Sequence, residues 1–94
     1  MKLIYNEGII EIADDNLFVT IESGGSIGEI ANNGRNRIFG GYVFLSKEEA
    51  KAKTKKCSKL FGGGYYDYHY QTKTLAWARA NCEKFSEKDL TFQM

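Results

Sequence analysis

Residues 46–61 read SKEEAKAKTKKCSKLF, residues 62–64 are GGG, and residues 65–70 read YYDYHY. The first segment has the composition of a helix, the glycines would stop it, and the tyrosine-rich segment has the composition of a β-strand. A helix that leads directly into a strand indicates an α+β domain. The same stretch holds the strongest functional signal, because six lysines stand against two glutamates between Lys47 and Lys59.

The helix has clear start and stop signals. Ser46 and Glu49 match the S-x-x-E capping box. Leu45 and Ala50 are placed to add a hydrophobic staple. A glycine in the left-handed position after the last turn would end the helix. The expected core-facing stripe is narrow and poor in large residues: Ala50, Thr54, Cys57 and Phe61.

Short runs of alternating apolar residues, separated by turn residues, predict antiparallel strands before this helix. The strongest hairpin signal is Asn32-Asn33-Gly34, because Asn-Gly tolerates the positive φ of a tight turn. Gly40-Gly41 in mid-strand predicts a bulge, or close approach by a neighbouring element. The expected strands are Lys2–Tyr5 and residues 9–13, 17–22, 27–31 and 37–45, with reversals at residues 6–8, 14–16, 23–26 and 32–34.

A strand over residues 65–71, a second helix over 74–85 and a terminal strand over 90–93 complete the predicted order. The second helix carries apolar residues at helical spacing: Leu75, Ala78, Cys82 and Phe85. The sequence therefore predicts one α+β domain spanning residues 1–94. Its expected architecture is an antiparallel meander sheet of about five to six strands with two helices packed on one face.

Charge is distributed unevenly along these 94 residues, whose net charge is only +1. Residues 1–45 carry a net charge of −3 and residues 46–94 carry +4. The small net charge gives no strong general attraction to nucleic acid or membrane. The asymmetry could orient the protein as it meets a partner, or it could hold the two halves of the chain together. The hydrophobic content of 43% argues against disorder.

Export and membrane signals are missing from the sequence. The start lacks the long apolar run of a signal peptide, and the longest run without polar side chains, residues 38–45, is far shorter than the ~20 residues of a membrane span. Cys57 and Cys82 form no CxxC pair and are expected to be reduced, buried thiols. We expect a complete short gene product, cytoplasmic, without a membrane partner.

The helix lysines form an ordered row. Lys47, Lys51, Lys55 and Lys59 follow strict i, i+4 spacing, so they lie on one ridge about 100° from the core-facing stripe. Like charges at this spacing cost roughly 0.2–0.5 kcal/mol per pair, which suggests an anionic contact. The alternative is a solvated face whose lysines suit the helix dipole. Our candidate partner-binding residues here are Lys51, Lys55 and Lys59.

The tyrosine-rich strand divides by parity: Tyr66, Tyr68 and Tyr70 point one way, while Tyr65, Asp67, His69 and Gln71 point the other. One row should pack beneath a helix. An exposed row could stack on bases or anchor a protein interface, and the alternative is ordinary strand stabilisation. We include all four tyrosines, Tyr65, Tyr66, Tyr68 and Tyr70, as candidate contacts.

Trp77 is the third candidate contact surface. It lies roughly opposite the apolar stripe of the second helix, so this helix is buried on two sides or Trp77 belongs to an exposed apolar patch that needs a partner. A tryptophan flanked by small residues makes a good binding hot spot.

Catalytic and metal signals are weak. Asp67 and His69 share a strand face, and Cys57 or Cys82 would have to supply the nucleophile of a cysteine–histidine site, yet no family signature surrounds either cysteine. Their spacing matches no zinc pattern, and the glycine clusters match no phosphate loop. We predict no metal, no cofactor and no enzymatic activity.

The sequence favours a small binding protein that acts by stoichiometric contact with a larger protein or nucleoprotein partner. In size, composition and α+β layout it is similar to the small accessory proteins of phages and mobile elements, such as anti-CRISPR inhibitors that block a nuclease complex. The alternatives are a nucleic-acid-binding module, with lysines on phosphates and tyrosines stacking on bases, and a small enzyme using His69. Strand edges or the Trp77 face could also form a homodimer.

Overall fold

A computed structural model describes residues 1–5, 7–26, 36–62 and 66–93, with the backbone alone at residues 3–5, 25, 26, 66 and 67. The predicted strand over residues 27–31 and the hairpin signal at 32–34 lie outside the described residues. The elements follow in the order β1 Lys2–Tyr5, β2 Gly8–Glu11, β3 Phe18–Ser26, β4 Asn36–Ile38, β5 Tyr42–Phe44, α1 Lys47–Phe61, β6 Tyr66–Thr74, α2 Leu75–Asn81 and β7 Thr91–Gln93.

β1 and β2 form a two-stranded antiparallel sheet of their own. Tyr5 pairs with Gly8, so the chain reverses where the sequence predicts it, and Glu7 takes a positive φ of 64°. The residues of β2 are exposed, including Ile9 at 74%. The next predicted reversal is also confirmed, as a 3₁₀ turn over Asp14–Asn16.

β3 is the central strand of the main sheet and is longer than predicted. It pairs antiparallel with β6 along its whole length, from Phe18 opposite Thr74 to Ser26 opposite Tyr66. The reversal predicted at residues 23–26 is therefore wrong. Gly24 and Gly25 lack intrinsic strand preference, but pairing with β6 supplies the backbone hydrogen bonds that keep this segment extended.

A glycine bulge divides the predicted strand over residues 37–45 into β4 and β5. Gly40 and Gly41 take φ values of 62° and 70° inside a 3₁₀ turn over Phe39–Gly41. A Cβ on Gly41 would collide with the carbonyl oxygen of Asp89. Both parts of the prediction, the bulge and the close approach, are confirmed.

The main sheet is mixed, so the expected antiparallel meander is wrong in that respect. β4 and β5 pair antiparallel with β3, whereas β7 pairs parallel with β5, from Tyr42 opposite Thr91 to Phe44 opposite Gln93. A strand order of β4-β3-β5-β7, with β6 on β3, gives five strands among the described residues. The chain reaches β7 only after α2 and a long connection, and it therefore returns in the direction of β5.

The two helices pack on opposite faces of the sheet, not on one face as predicted. Thr54 of α1 lies with its hydroxyl oxygen 2.8 Å from the hydroxyl oxygens of Thr20 and Thr72. Leu75 and Ala78 of α2 pack instead with Leu17, just before β3, and with Val19 and Ile21, alternate residues of β3. Because neighbouring strand side chains point to opposite faces, β3 separates the helices.

Hydrogen bonds near the helix ends determine where each helix starts or stops. The Ser46 hydroxyl accepts a 3.3 Å bond from the Glu49 amide, which confirms the start of α1. Gly62 ends α1 in an extended conformation (φ −75°) rather than the left-handed one. α2 stops at Asn81, short of the predicted residue 85, because the Glu83 amide bonds to the Asn36 carbonyl instead of continuing the helix. No helix in the described ranges is long and apolar enough to cross a membrane.

Candidate functional site

The lysine ridge, defined as Lys47, Lys51, Lys55 and Lys59, is exposed along the whole of α1. Its spacing of four residues corresponds to about 6 Å per step, or about 18 Å from the first lysine to the last. The two acids of α1, Glu48 and Glu49, both lie in its first turn. The ridge is therefore a continuous row of positive charge on the outer surface.

A fifth helix lysine shows which side of α1 the ridge occupies. The Lys53 ammonium lies 5.0 Å from the Tyr42 ring centroid and 5.7 Å from that of Phe39, so Lys53 points toward β4 and β5. Lys51 and Lys55 are each two residues away, which rotates them by about 160° around the helix axis. The ridge consequently faces the opposite side, where β6 is the outermost of the described strands.

Trp77 lies at the end of this same side. Its indole packs partly against the core, and it also lines a surface groove of about 280 Å³, the Trp77 groove. The Lys73 ammonium lies 5.0 Å from the Trp77 ring centroid. Lys47, the first ridge lysine, lines the groove too. The complete lining is Phe18, Lys47, Thr72, Lys73, Thr74 and Trp77. The structure thus joins two candidate surfaces that were separate in the sequence.

The tyrosine candidates do not form an exposed row. Tyr70 is 9% exposed and lies on the α1 face of β6, where its ring contacts Phe61 and Phe39 at centroid distances of 6.4 and 5.9 Å. Its selection as a contact residue is therefore a misassignment, because strand parity turns it beneath α1. Tyr68 is half-buried. Tyr65 and the side chain of Tyr66 lie outside the described part of the chain.

Tyr70 belongs to a buried polar cluster that the sequence did not reveal. Its hydroxyl donates a 2.8 Å hydrogen bond to the carboxylate of Glu22, which is only 6% exposed. Arg37 donates to the same carboxylate from Nε at 2.8 Å and Nη2 at 2.6 Å. Burial, followed by the hydrogen bond to Glu22, raises the pKa of Tyr70 well above its ordinary value. Tyr70 therefore stays protonated and acts as a structural donor.

Apolar side chains are exposed near the end of α1. Leu60 is 62% exposed and Phe61 is 49% exposed, although Phe61 also contacts the Phe39 ring at a centroid distance of 5.9 Å. At the start of α1, Leu45 is 50% exposed. Apolar groups thus lie at both ends of the helix that carries the lysine ridge.

Cys57 and His69, two of the residues considered for catalysis, are not brought together. Cys57 is on the buried side of α1, which packs on the Tyr70 face of β6. His69, the neighbour of Tyr70, points to the opposite face of β6. Burial raises the pKa of Cys57, and it raises that of Cys82 to about 11, so both thiols are protonated at neutral pH. The side chain of Asp67 lies outside the described atoms. Among the residues described, no cluster of three His, Cys, Asp or Glu side chains could hold a metal ion.

A larger groove of about 480 Å³ lies beside β4 and the glycine bulge. Glu22 and Arg37 form part of its wall and are already bonded to each other. Glu83, Lys84 and Asp89 add charges of both signs. Its mixed lining favours no single class of ligand.

Comparison of the chain with known protein families, with curated proteins and with solved structures found no match. Any functional assignment therefore depends on the arrangement of the chain's own residues.

Proposed function

We propose that this chain is a small binding protein that contacts a larger protein or nucleoprotein partner through the β6 side of α1. The observation that carries the proposal is the common side shared by the lysine ridge and the Trp77 groove. A row of exposed lysines beside an aromatic residue is electrostatically complementary to an anionic surface.

The exposed apolar residues support a protein component in the partner. Leu45 is half exposed two residues before Lys47, and Phe18 and Trp77 line the groove on the same side. Apolar side chains gain free energy when another protein covers them, and a phosphate backbone offers no comparable gain. Inhibition of a nuclease complex is one form that such a contact could take; the size, composition and α+β layout support it, and no individual residue does.

Nucleic acid is the second candidate, supported by Trp77 with Lys47 and Lys73 around it. The lysines would bind phosphates, and stacking would have to come from Trp77, because Tyr70 is buried. This differs from the sequence-based hypothesis, in which the tyrosines stack on bases.

A matched pair of charge reversals tests the first proposal. Lys55→Glu reverses a ridge lysine, and Lys56→Glu reverses its exposed neighbour about 100° around the same helix. We expect the wild type and Lys56→Glu to retain one partner in a stoichiometric complex from a lysate of the source cell, and Lys55→Glu to lose most of it. Equal retention by both variants would overturn the proposal, and retention that disappears after nuclease treatment would favour nucleic acid.

A further inference from the structure

We propose that the Trp77 groove holds the anchor of an acidic peptide segment of the partner. In this arrangement, one apolar side chain lies against Trp77 and Phe18, and flanking carboxylates lie at Lys47 and Lys73. The inference rests on the proposed function, because the rest of the segment would continue along the lysine ridge.

The chemistry of the groove fits an apolar group with negative charges beside it. Two aromatic rings supply apolar wall, and two ammonium groups line the same space. Lys73 is held over the Trp77 ring at 5.0 Å, so its charge is kept at the groove by a cation–π contact. Within the described residues neither lysine forms an ion pair. An incoming carboxylate would therefore meet two cations already in place.

The threonine hydroxyls of the groove are already engaged. The Thr72 hydroxyl oxygen lies 2.8 Å from that of Thr54, and the Thr74 hydroxyl accepts a 3.1 Å bond from the Trp77 amide. The principal polar groups that a ligand can use are consequently the two ammoniums. Ammonium groups only donate hydrogen bonds and carry positive charge, so they favour an anionic ligand. A neutral sugar or an amide would need acceptors as well as donors.

An acidic peptide fits this groove better than a nucleotide base does. A base that stacked on the Trp77 ring face that Lys73 covers would have to displace Lys73, whereas a peptide carboxylate can bind Lys73 where it is. The half-exposed Leu45, two residues before Lys47, offers further apolar contact that suits a protein.

The length of the ridge limits the length of the segment. The ridge extends about 18 Å, which about twelve residues of helix or about six residues of extended chain would cover. Acids at every fourth position of a helix, or at alternate positions of a strand, would repeat at about 6–7 Å and so match the lysine spacing. A helical and an extended segment would present the same chemistry to the ridge, namely regularly spaced acids and one apolar anchor.

Trp77 is the only tryptophan of the chain, so its fluorescence reports directly on the groove. The probes are a capped oligoglutamate of about twelve residues with a central leucine, the same peptide with serine in place of leucine, and an oligothymidylate of similar length, all at low ionic strength. We expect the leucine peptide to change Trp77 emission and to bind about tenfold more tightly than the serine peptide. Equal affinity for the two peptides, or tighter binding of the oligothymidylate, overturns the inference.

Three variants separate this inference from the proposed function. Lys73→Gln removes a groove cation, Lys55→Glu reverses a ridge cation away from the groove, and Lys88→Gln is an exposed control far along the chain. We expect the first two variants to bind the leucine peptide at least threefold more weakly than wild type does, and the control to bind it with unchanged affinity. A loss with Lys55→Glu alone overturns the groove inference, and a loss with Lys73→Gln alone overturns the ridge interface.

Discussion

The hydroxyl of Tyr70 donates a 2.8 Å hydrogen bond to the buried carboxylate of Glu22. The two residues are directly opposite each other on β6 and β3. This pair places a negative charge inside the molecule under α1, where Arg37 also donates to it. The cluster explains why a tyrosine selected from the sequence as a candidate contact residue is part of the interior.

Tyr70→Phe should destabilise the fold by about 1.5–3 kcal/mol, because it removes a donor from a buried charged acceptor. The measurement is urea unfolding followed by circular dichroism. Tyr42→Phe is the control, since the phenylalanine ring keeps the contact with Lys53. The free energy of unfolding of this variant should fall by less than about 0.5 kcal/mol. Equal stability of Tyr70→Phe and wild type would show that the bond contributes nothing.

Gly41→Ala should cost more stability than Gly40→Ala. Both glycines have positive φ, which costs an L-residue about 1–2 kcal/mol. A Cβ at Gly41 meets the backbone carbonyl of Asp89, whereas at Gly40 it meets the Tyr42 side chain, which can move. Thermal unfolding of the two variants measures the difference, and a reversed order would contradict the close approach of the Asp89 segment.

Thr54→Val should destabilise the fold by about 1–3 kcal/mol at nearly constant volume, because it breaks the hydroxyl contacts to Thr20 and Thr72. The control is Ser58→Ala on the exposed part of α1, with an expected change below about 0.5 kcal/mol. Chemical unfolding provides the measurement. A Thr54→Val protein as stable as wild type would mean that packing alone holds α1 on the sheet.

Stability should decline as pH rises from 9 toward 11, with Cys82 as one cause. Burial raises the pKa of this thiol from 9.0 to about 11, so the unfolded chain loses the proton first and is favoured in that interval. The stabilising effect is complete below pH 9 and is lost as pH rises through the folded value. Cys82→Ala should flatten the profile of unfolding free energy against pH between these limits, and an unchanged slope would exclude the thiol as a contributor.

Leu45→Ser should weaken partner binding by roughly fivefold with little loss of stability, since the side chain is 50% exposed and lies two residues before Lys47, the first ridge lysine. Ile9→Ser is the matched control, because Ile9 is 74% exposed but belongs to the separate β1–β2 sheet. Affinity for the captured partner and the melting temperature are measured for both variants. Equal weakening by both would indicate a general loss of hydrophobic surface and would count against an interface at α1.

Features controlled by nearby residues could be predicted from the sequence. The start of α1 depends on Ser46 and Glu49, which are three residues apart, and the bulge depends on Gly40 and Gly41 alone. The exposure of the ridge likewise follows from helical periodicity.

Features controlled by distant pairing could not be predicted. The extension of β3 to Ser26 needs β6, and the parallel position of β7 needs β5, more than forty residues earlier in the chain. Thr20 and Glu22 alternate with apolar residues, a pattern typical of a strand with one solvated face. They are buried only because side chains from α1, β4 and β6 satisfy their polar atoms. α1 covers this polar face and α2 covers the apolar face, so the helices lie on opposite sides of the sheet.

The polar contacts of Thr54 have a consequence for recognition. Directional hydrogen bonds fix the rotation of α1 about its own axis more tightly than apolar packing does, since turning the helix by one residue step would separate Thr54 from both Thr20 and Thr72. The direction in which the lysines point is thus determined by the contacts of Thr54 with Thr20 and Thr72 and not by the lysines themselves. A substitution at Thr20, which is only 1% exposed, could therefore change the direction of the ridge and the partners that the protein selects, while every lysine stayed the same.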